Sequence, residues 1–435
     1  MDDFLRLILL RDANTRVVLL GATLLGACSG AVGTFAVLRR RALLGDALAH
    51  ASLPGLCMAY FVVGDRSFVA FLIGAMIFGL LGVACVSFVN AQTRIKEDAA
   101  IGIVLSSFFG LGIVLSRIIQ NQPAGNRAGL DTYIFGKAAA MVRQDVMLII
   151  TVSAVVLLLL TALFKEFRLL CFDRAFAASL GWPATLLDGL LMALICLITV
   201  VGLPAVGVVL MAALLIIPAA AARFWTEDLL RMVLIAAGLG GVAGLAGTSI
   251  SAMMSRLPAG APIVLAASAA FILSMLFAPR RGVVADLLRR RRLRLRVSRQ
   301  NVLRALFEIQ ERSGSTAPAA FGDLLAMRSW SAAELERSLE RAERDGLIVG
   351  TLDRWGLTPH GQDEAARVVR AHRLWELFLV EQADIAPDHV DRDADQIEHV
   401  LPPELIARLE QQLAAAGRLP KVVPRSPHPI REVMP

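Results

Sequence analysis

Asp46 and His50 stand four residues apart in the otherwise apolar run LLGDALAHASLPG. At helical spacing both project from one face. A carboxylate beside an imidazole suits a borderline divalent cation such as manganese, iron or zinc. An ionisable group inside an apolar span is costly, and by default it marks function. His50 lies ~12 Å along the helix from Ala42, near the middle of a bilayer. The competing reading is an internal Asp–His pair that only locks helices together, and from these residues alone both readings stay open. Two donors are too few for an ion site. Glu97 and Asp98, opening a later apolar stretch, are further candidates, or else helix N-terminal charges that complement the dipole. Pro54-Gly55 loosens the backbone just beyond the pair.

A second feature is Phe172-Asp173-Arg174-Ala-Phe176-Ala-Ala-Ser179-Leu180-Gly181-Trp182-Pro183. It reads as a short amphipathic helix between two apolar stretches, stopped by Gly and Pro. Such a helix lying across a membrane surface can dock a soluble partner, or simply connect its neighbours. No GxxxxGK[ST] phosphate loop occurs, so ATP-driven work would need a nucleotide bound by another chain.

The elements that position these residues are membrane spans. The chain has 435 residues, 56% of them hydrophobic. A bilayer core of ~30 Å needs ~20 apolar residues per helix. Stretches of that size fall near 16–38, 42–63, 67–89, 100–118, 142–164, 184–202, 204–222, 229–247 and 262–279. The turn at Gly202-Leu203-Pro204 is very short, and 248–261 has room for a short or re-entrant helix. The run Val17 to Leu38 is too long for a signal-peptide core. Charge is uneven: 33 of the first 279 residues are charged, against 48 of the last 156. Nine arginines lie between Arg280 and Arg299, so the basic balance of +7 reflects a membrane boundary rather than a nucleic-acid binder. Basic clusters at Arg39-Arg40-Arg41, Arg94/Lys96, Lys165/Arg168/Arg174, Arg223/Arg231 and Arg280 onward fall on one side if nine spans alternate. That side is cytoplasmic by the positive-inside rule, with the N-terminus outside and the C-terminus within. The five cysteines have no CxxC spacing and read as small core residues. Glycines inside the spans, such as Gly74, Gly79, Gly82, Gly238, Gly240, Gly241, Gly244 and Gly247, read as close helix packing.

LRRRALLGDALAHASLPGL (38–56), TRIKEDAAIGIVLSSFFGLGIVLSRIIQNQPAGNRAGLDTYIFG (93–136), FDRAFAASLGWP (172–183) and VVGLPAVGVVLMAALLIIPAAAA (200–222) resemble the permeases of manganese/zinc/iron ABC importers. The resemblance covers residues 10–280. It implies a homodimeric permease, two cytoplasmic ATPase subunits and an extracytoplasmic metal-binding protein that delivers the ion. It associates the acidic/His motif of the second span, here Asp46 and His50, with the metal path. It places the ATPase-coupling helix at Asp173, Arg174, Phe176, Ser179, Leu180 and Gly181.

Residues 300–430 resemble diphtheria-toxin-repressor-like metalloregulators. The carriers are a helix from Asn301, a helix-turn-helix from Phe321 to Leu347, a wing to Pro359, and the segments LTPHGQDEAARVVRAHRLWELFLVE (357–381) and DHVDRDADQIEHVLPPELIARLEQQL (388–413). His372 and Glu376 share a helix face at a spacing of four. Asp391, Asp395, Glu398 and His399 share another at four and three. Carboxylates stand where iron sensors carry a histidine (Asp391) and a cysteine (Asp395), a shift that favours manganese; the family's first-helix ligand falls at Asn301. The competing reading is a solvated charged face. The presumptive recognition helix, 331–344, carries four Glu against three Arg, so DNA binding is not expected.

The expectation is therefore an all-α polytopic membrane protein of about nine spans with a mainly helical cytoplasmic tail. It divides into a permease at 1–280, an arginine-rich linker at 281–299, a winged helix at 300–360 and a metal-binding/dimerisation region at 361–435. Its role is the inner-membrane permease of a divalent-metal importer, manganese favoured over zinc or iron, with ATP hydrolysed by a partner chain and the tail sensing metal. The other reading is a membrane-anchored, metal-responsive transcriptional regulator. A membrane enzyme ranks last, because no nucleophile–base arrangement or HExxH motif occurs.

Overall fold

The computed structural model describes residues 13–39, 41, 43–64, 67–121, 141–253, 259–328, 330–351 and 353–382, together with 404, 407, 408 and 411. Arg40, the 122–136 part of the second permease-like segment, and Asp391, Asp395, Glu398 and His399 lie outside the described residues. The chain forms two compact units that divide between Asp286 and Leu287.

The first unit is helical throughout its described residues: α1 Ala13–Leu38, α2 Leu44–Val63, α3 Phe68–Gln92, α4 Glu97–Gln120, α5 Arg143–Ala162, α6 Phe164–Phe172, α7 Arg174–Ser179, α8 Ala184–Val206, α9 Val208–Ala222, α10 Leu229–Met253 and α11 Gly260–Phe277. Among the described residues, eight of these helices are long and apolar enough to cross a membrane. The exceptions are α6, α7 and α9. The ninth expected span, α9, is thus a shorter apolar helix. The break before it falls at Gly207, whose φ of 86° no side-chain-bearing residue adopts readily, and α8 runs on through Gly202-Leu203-Pro204. Likewise α10 continues to Met253, through the first part of the segment that had room for a re-entrant helix.

Lipid tails are as apolar as leucine, so packing between spans depends on close contact of small residues. Here α1 lies against α10, where a Cβ on Gly26 would strike the Gly240 carbonyl and one on Gly240 would strike that of Gly26. The same mutual exclusion holds between Gly55 of α2 and Gly74 of α3. Among the described residues a Cβ on Gly238 would meet nothing, so the close packing expected there is not seen. Helices α1, α2 and α8 are mostly buried, whereas α3, α4, α5 and α11 turn most of their surface outward. All five cysteines are free; Cys28, Cys57 and Cys196 are buried, and Cys85 and Cys171 are partly so.

The ends of the helices also sort themselves. Val37 and Leu38 of α1 pack with Ala219 and Ala222 of α9 and with Met232 and Ala236 of α10. Arg281 donates its backbone N–H to the Phe224 carbonyl at 3.3 Å and pairs with Glu227 at 3.0 Å. Arg39 reaches Leu170 and Asp188, and Arg41 reaches Glu97. Arg39, Arg41 and Arg281, together with the α9–α10 turn that carries Arg223, therefore gather at one end of the helical bundle, and α9, although short, returns the chain to that end.

In the second unit, α12 Val283–Ser313 enters from the boundary and carries the arginine run. It is followed by β1 Ala319–Ala320, α13 Phe321–Met327, α14 Ala332–Arg344, β2 Ile348–Thr351, β3 Arg354–Leu357 and α15 Pro359–Gln382. The sheet is antiparallel in the order β1-β3-β2, with Ile348 opposite Leu357 and Ala319 opposite Trp355. Its core joins Val302, Leu303 and Leu306 of α12 to Leu324, Leu335, Leu339, Ile348 and Ala365. A capping box starts α14: Ser331 Oγ accepts from the Glu334 N–H, and Glu334 accepts from the Ser331 N–H at 3.2 Å. Hydrogen bonds from Ser331 hold the Glu334 carboxyl below its ordinary pKa.

Candidate metal path, coupling surface and tail cluster

Helix α2 keeps a nearly continuous buried surface from Leu44 to Cys57, broken at Asp46 and His50. His50 Nε2 lies 3.4 Å from Asp46 Oδ1, with side-chain exposures of 17% and 35%. These two polar groups thus sit on a face that this chain does not fully cover. The His50 ring meets Phe109 of α4 edge-on, centroids 4.7 Å apart. Pro54 has no N–H to offer the His50 carbonyl four residues back, so that oxygen loses its usual ladder partner. Among the described residues, no group of three or more His, Cys, Asp and Glu gathers as a metal cluster. Glu97, a candidate third donor, forms an ion pair with Arg41, while Asp98 is exposed.

The segment before α8 forms a short helix, α7, as its sequence leads one to expect. Asp173 caps it by accepting from the Phe176 N–H at 2.9 Å. Ser179 Oγ donates to the Phe176 carbonyl at 2.9 Å, and Gly181 turns the chain with a φ of 83°. Ala177 is buried, whereas Phe172, Phe176, Leu180 and Trp182 are exposed. Arg174 reaches Thr185 at 3.5 Å. Four large apolar side chains on and beside this short helix thus form an uncovered apolar patch.

Sequence reasoning missed the group behind that patch. Asp188 of α8 accepts from Arg39 Nη2 at 2.9 Å and from Arg41 Nη1 at 2.8 Å, all three being largely buried. Arg39 Nη1 also donates to the Leu170 carbonyl at 3.0 Å. An acid inside the apolar run LLDGLL was the available signal, by the same rule that singled out Asp46.

In the tail, His372 Nε2 lies 3.2 Å from Glu376 Oε1, and both side chains are almost wholly buried. Arg304 Nη1 is 2.9 Å from His372 Nδ1, and Arg304 Nε donates to Glu308 at 2.6 Å. A guanidinium only donates, so Nδ1 is the acceptor and the proton of a neutral ring sits on Nε2, facing Glu376. Both ring nitrogens are then engaged. His372 and Glu376 are suitable donor types for a metal, and here the Nδ1 of His372 is taken by Arg304. Asn301 is likewise taken, accepting from Arg328 at 2.9 Å.

A family model described as the ABC 3 transport family matches residues 11–278. The chain belongs to that family. A second model, the metal-binding and dimerisation domain of iron-dependent repressors, matches residues 358–425. A Bacillus subtilis (strain 168) manganese transport system membrane protein, MntC, is 42% identical over 419 residues, spanning 95% of this chain and 94% of its own length. A zinc transport system membrane protein of Treponema pallidum (strain Nichols), TroC, is 44% identical, over 66% of this chain and 96% of its own. Among solved structures, PsaBC from Streptococcus pneumoniae in complex with Fab matches at 33% identity with a TM-score of 0.58, covering 66% of this chain and 99% of that one. This ABC 3 family member is thus a polytopic permease carrying a repressor-like tail, and the anchored-regulator reading is not favoured.

Proposed function

We propose that this chain is the inner-membrane permease of a manganese importer, that two copies enclose the ion path, and that separate ATPase subunits supply the energy. The observation that carries the proposal is the Asp46–His50 pair on a face of α2 that one chain leaves partly uncovered. In lipid such a face is costly, so a second copy or a water-filled path must cover it. Manganese is favoured because the manganese-named relative aligns across the tail as well as the spans, whereas the zinc-named one aligns over the spans alone. An extracytoplasmic binding protein delivers the ion at the opposite end from the basic clusters, which face the cytoplasm with the C-terminus; the N-terminus is outside. Uptake of radiolabelled manganese by cells expressing the full importer tests this, with zinc and ferrous iron as competitors. Zinc displacing manganese at lower concentration would reassign the cargo.

The exposed apolar patch around α7 supports docking of the ATPase there, using Asp173, Arg174, Phe176, Ser179, Leu180 and Gly181. A charge at Phe176 or Leu180 (F176D, L180D) would be desolvated without a partner at that contact. Co-purification of the ATPase with either variant is expected to fall at least ~10-fold. Full retention would move the docking site elsewhere.

The tail is proposed as a dimerising, metal-responsive regulator, with His372, Glu376, Asp391, Asp395, Glu398 and His399 as its polar set. Removing residues 300–435 should raise uptake in metal-replete cells and leave it unchanged in starved ones. If repression by internal metal persists in the truncated protein, the tail is not the sensor.

A further inference from the structure

The four charges at the basic end of the bundle join the docking segment to the metal pair. Arg39 grips both flanks of α7. Its Nη1 holds the Leu170 carbonyl, two residues before α6 ends, and its Nη2 holds Asp188, in the early part of α8. The second Asp188 oxygen holds Arg41 at 2.8 Å. Arg41 is tied to α2 by its backbone, its carbonyl accepting from the Leu44 N–H at 3.0 Å, five residues before Asp46. Arg41 also pairs with Glu97, the first residue of α4, and α4 carries the Phe109 that touches His50.

We propose that the Arg39–Asp188–Arg41–Glu97 cluster is the positioning device by which movement of the ATPase-docking segment is passed to α2 and α4, and so to Asp46 and His50. Apolar contacts at a helix end slide past one another. Charge-assisted hydrogen bonds in a buried setting hold fixed geometry and change partners in discrete steps. The cluster is also incompletely saturated. Arg39 Nε and, one turn before Leu170, Glu166 Oε2 are both buried without a hydrogen-bond partner among the described residues. The open donor on Arg39 leaves scope for a second arrangement.

The alternative is a plain structural staple. The test rests on the metal-import reading and separates the two. The full importer, reconstituted in vesicles with its ATPase and delivery protein, is assayed for manganese uptake and ATP hydrolysis in one preparation. Asp188→Asn should lower ions moved per ATP by about fivefold or more while hydrolysis continues. Asp188→Glu should restore much of that ratio. Where Asp188→Asn fails to assemble, Arg39→Lys carries the test, because it keeps the charge but cannot span Leu170 and Asp188 together. Uptake and hydrolysis falling in parallel, or an unchanged ratio, overturns the relay and leaves a staple. Absence of uptake with the unaltered chain would instead overturn the import reading itself.

Discussion

Replacing Asp46 and His50 together by alanine should lower manganese uptake at least ~10-fold, the scale on which ligand-shell changes act on metal sites. Both side chains have room to be lost. They are the two partly exposed positions in the otherwise buried stretch Leu44–Cys57 of α2, where Leu44, Ala47, Leu48, Ala49, Ser52 and Leu53 provide buried surface. Ionisable groups inside an apolar span are costly, so replacing this partly exposed pair by alanine should not destabilise the helix. The variant should therefore reach the membrane at normal abundance and retain its ATPase. A staple between helices predicts the opposite: lower abundance, with uptake per folded molecule preserved. Unchanged uptake in the double variant would remove both residues from the ion path. Phe109 provides a control, since its ring touches His50 without offering a ligand. Phe109→Leu should weaken uptake less than either polar change.

The membrane unit was legible because the bilayer demands long apolar helices and each one announces itself. What escaped were features that depend on which helices meet. Gly202-Leu203-Pro204 looks like a turn in sequence, yet a buried helix tolerates such residues, and the chain breaks instead where Gly207 supplies a positive φ. The Asp46–His50 pairing follows from spacing alone, because both residues lie on one helix. The Arg39–Asp188 bond spans 149 positions and has no local signature. Glu97 illustrates the same limit: its place at a helix start gave a dipole reading and a ligand reading, and neither contains Arg41. In the tail, the spacing of His372 and Glu376 was readable, but the arginine on α12 that engages them was not.

Replacing Arg304 by alanine should cost the second unit about 3 kcal/mol, because it strips the cation from a buried set of charges. Arg304 and His372 are nearly inaccessible, and Glu376 is as deeply buried. Guanidinium bonds hold His372 Nδ1 at 2.9 Å and Glu308 at 2.6 Å, joining α12 to α15. Opening of the α12–α15 contact should then become about a hundredfold more frequent, read as faster amide exchange in both helices of the full chain. Arg304→Lys should fall between, since an ammonium keeps the charge but not the fork that serves two partners. Exchange as slow as in the unaltered chain would show that the arginine is a bystander. The same residue sets a condition on any metal at this place. An ion that takes His372 through Nδ1 must first displace Arg304, so any metal binding at this place would be coupled to the mechanical integrity of the α12–α15 contact through one side chain.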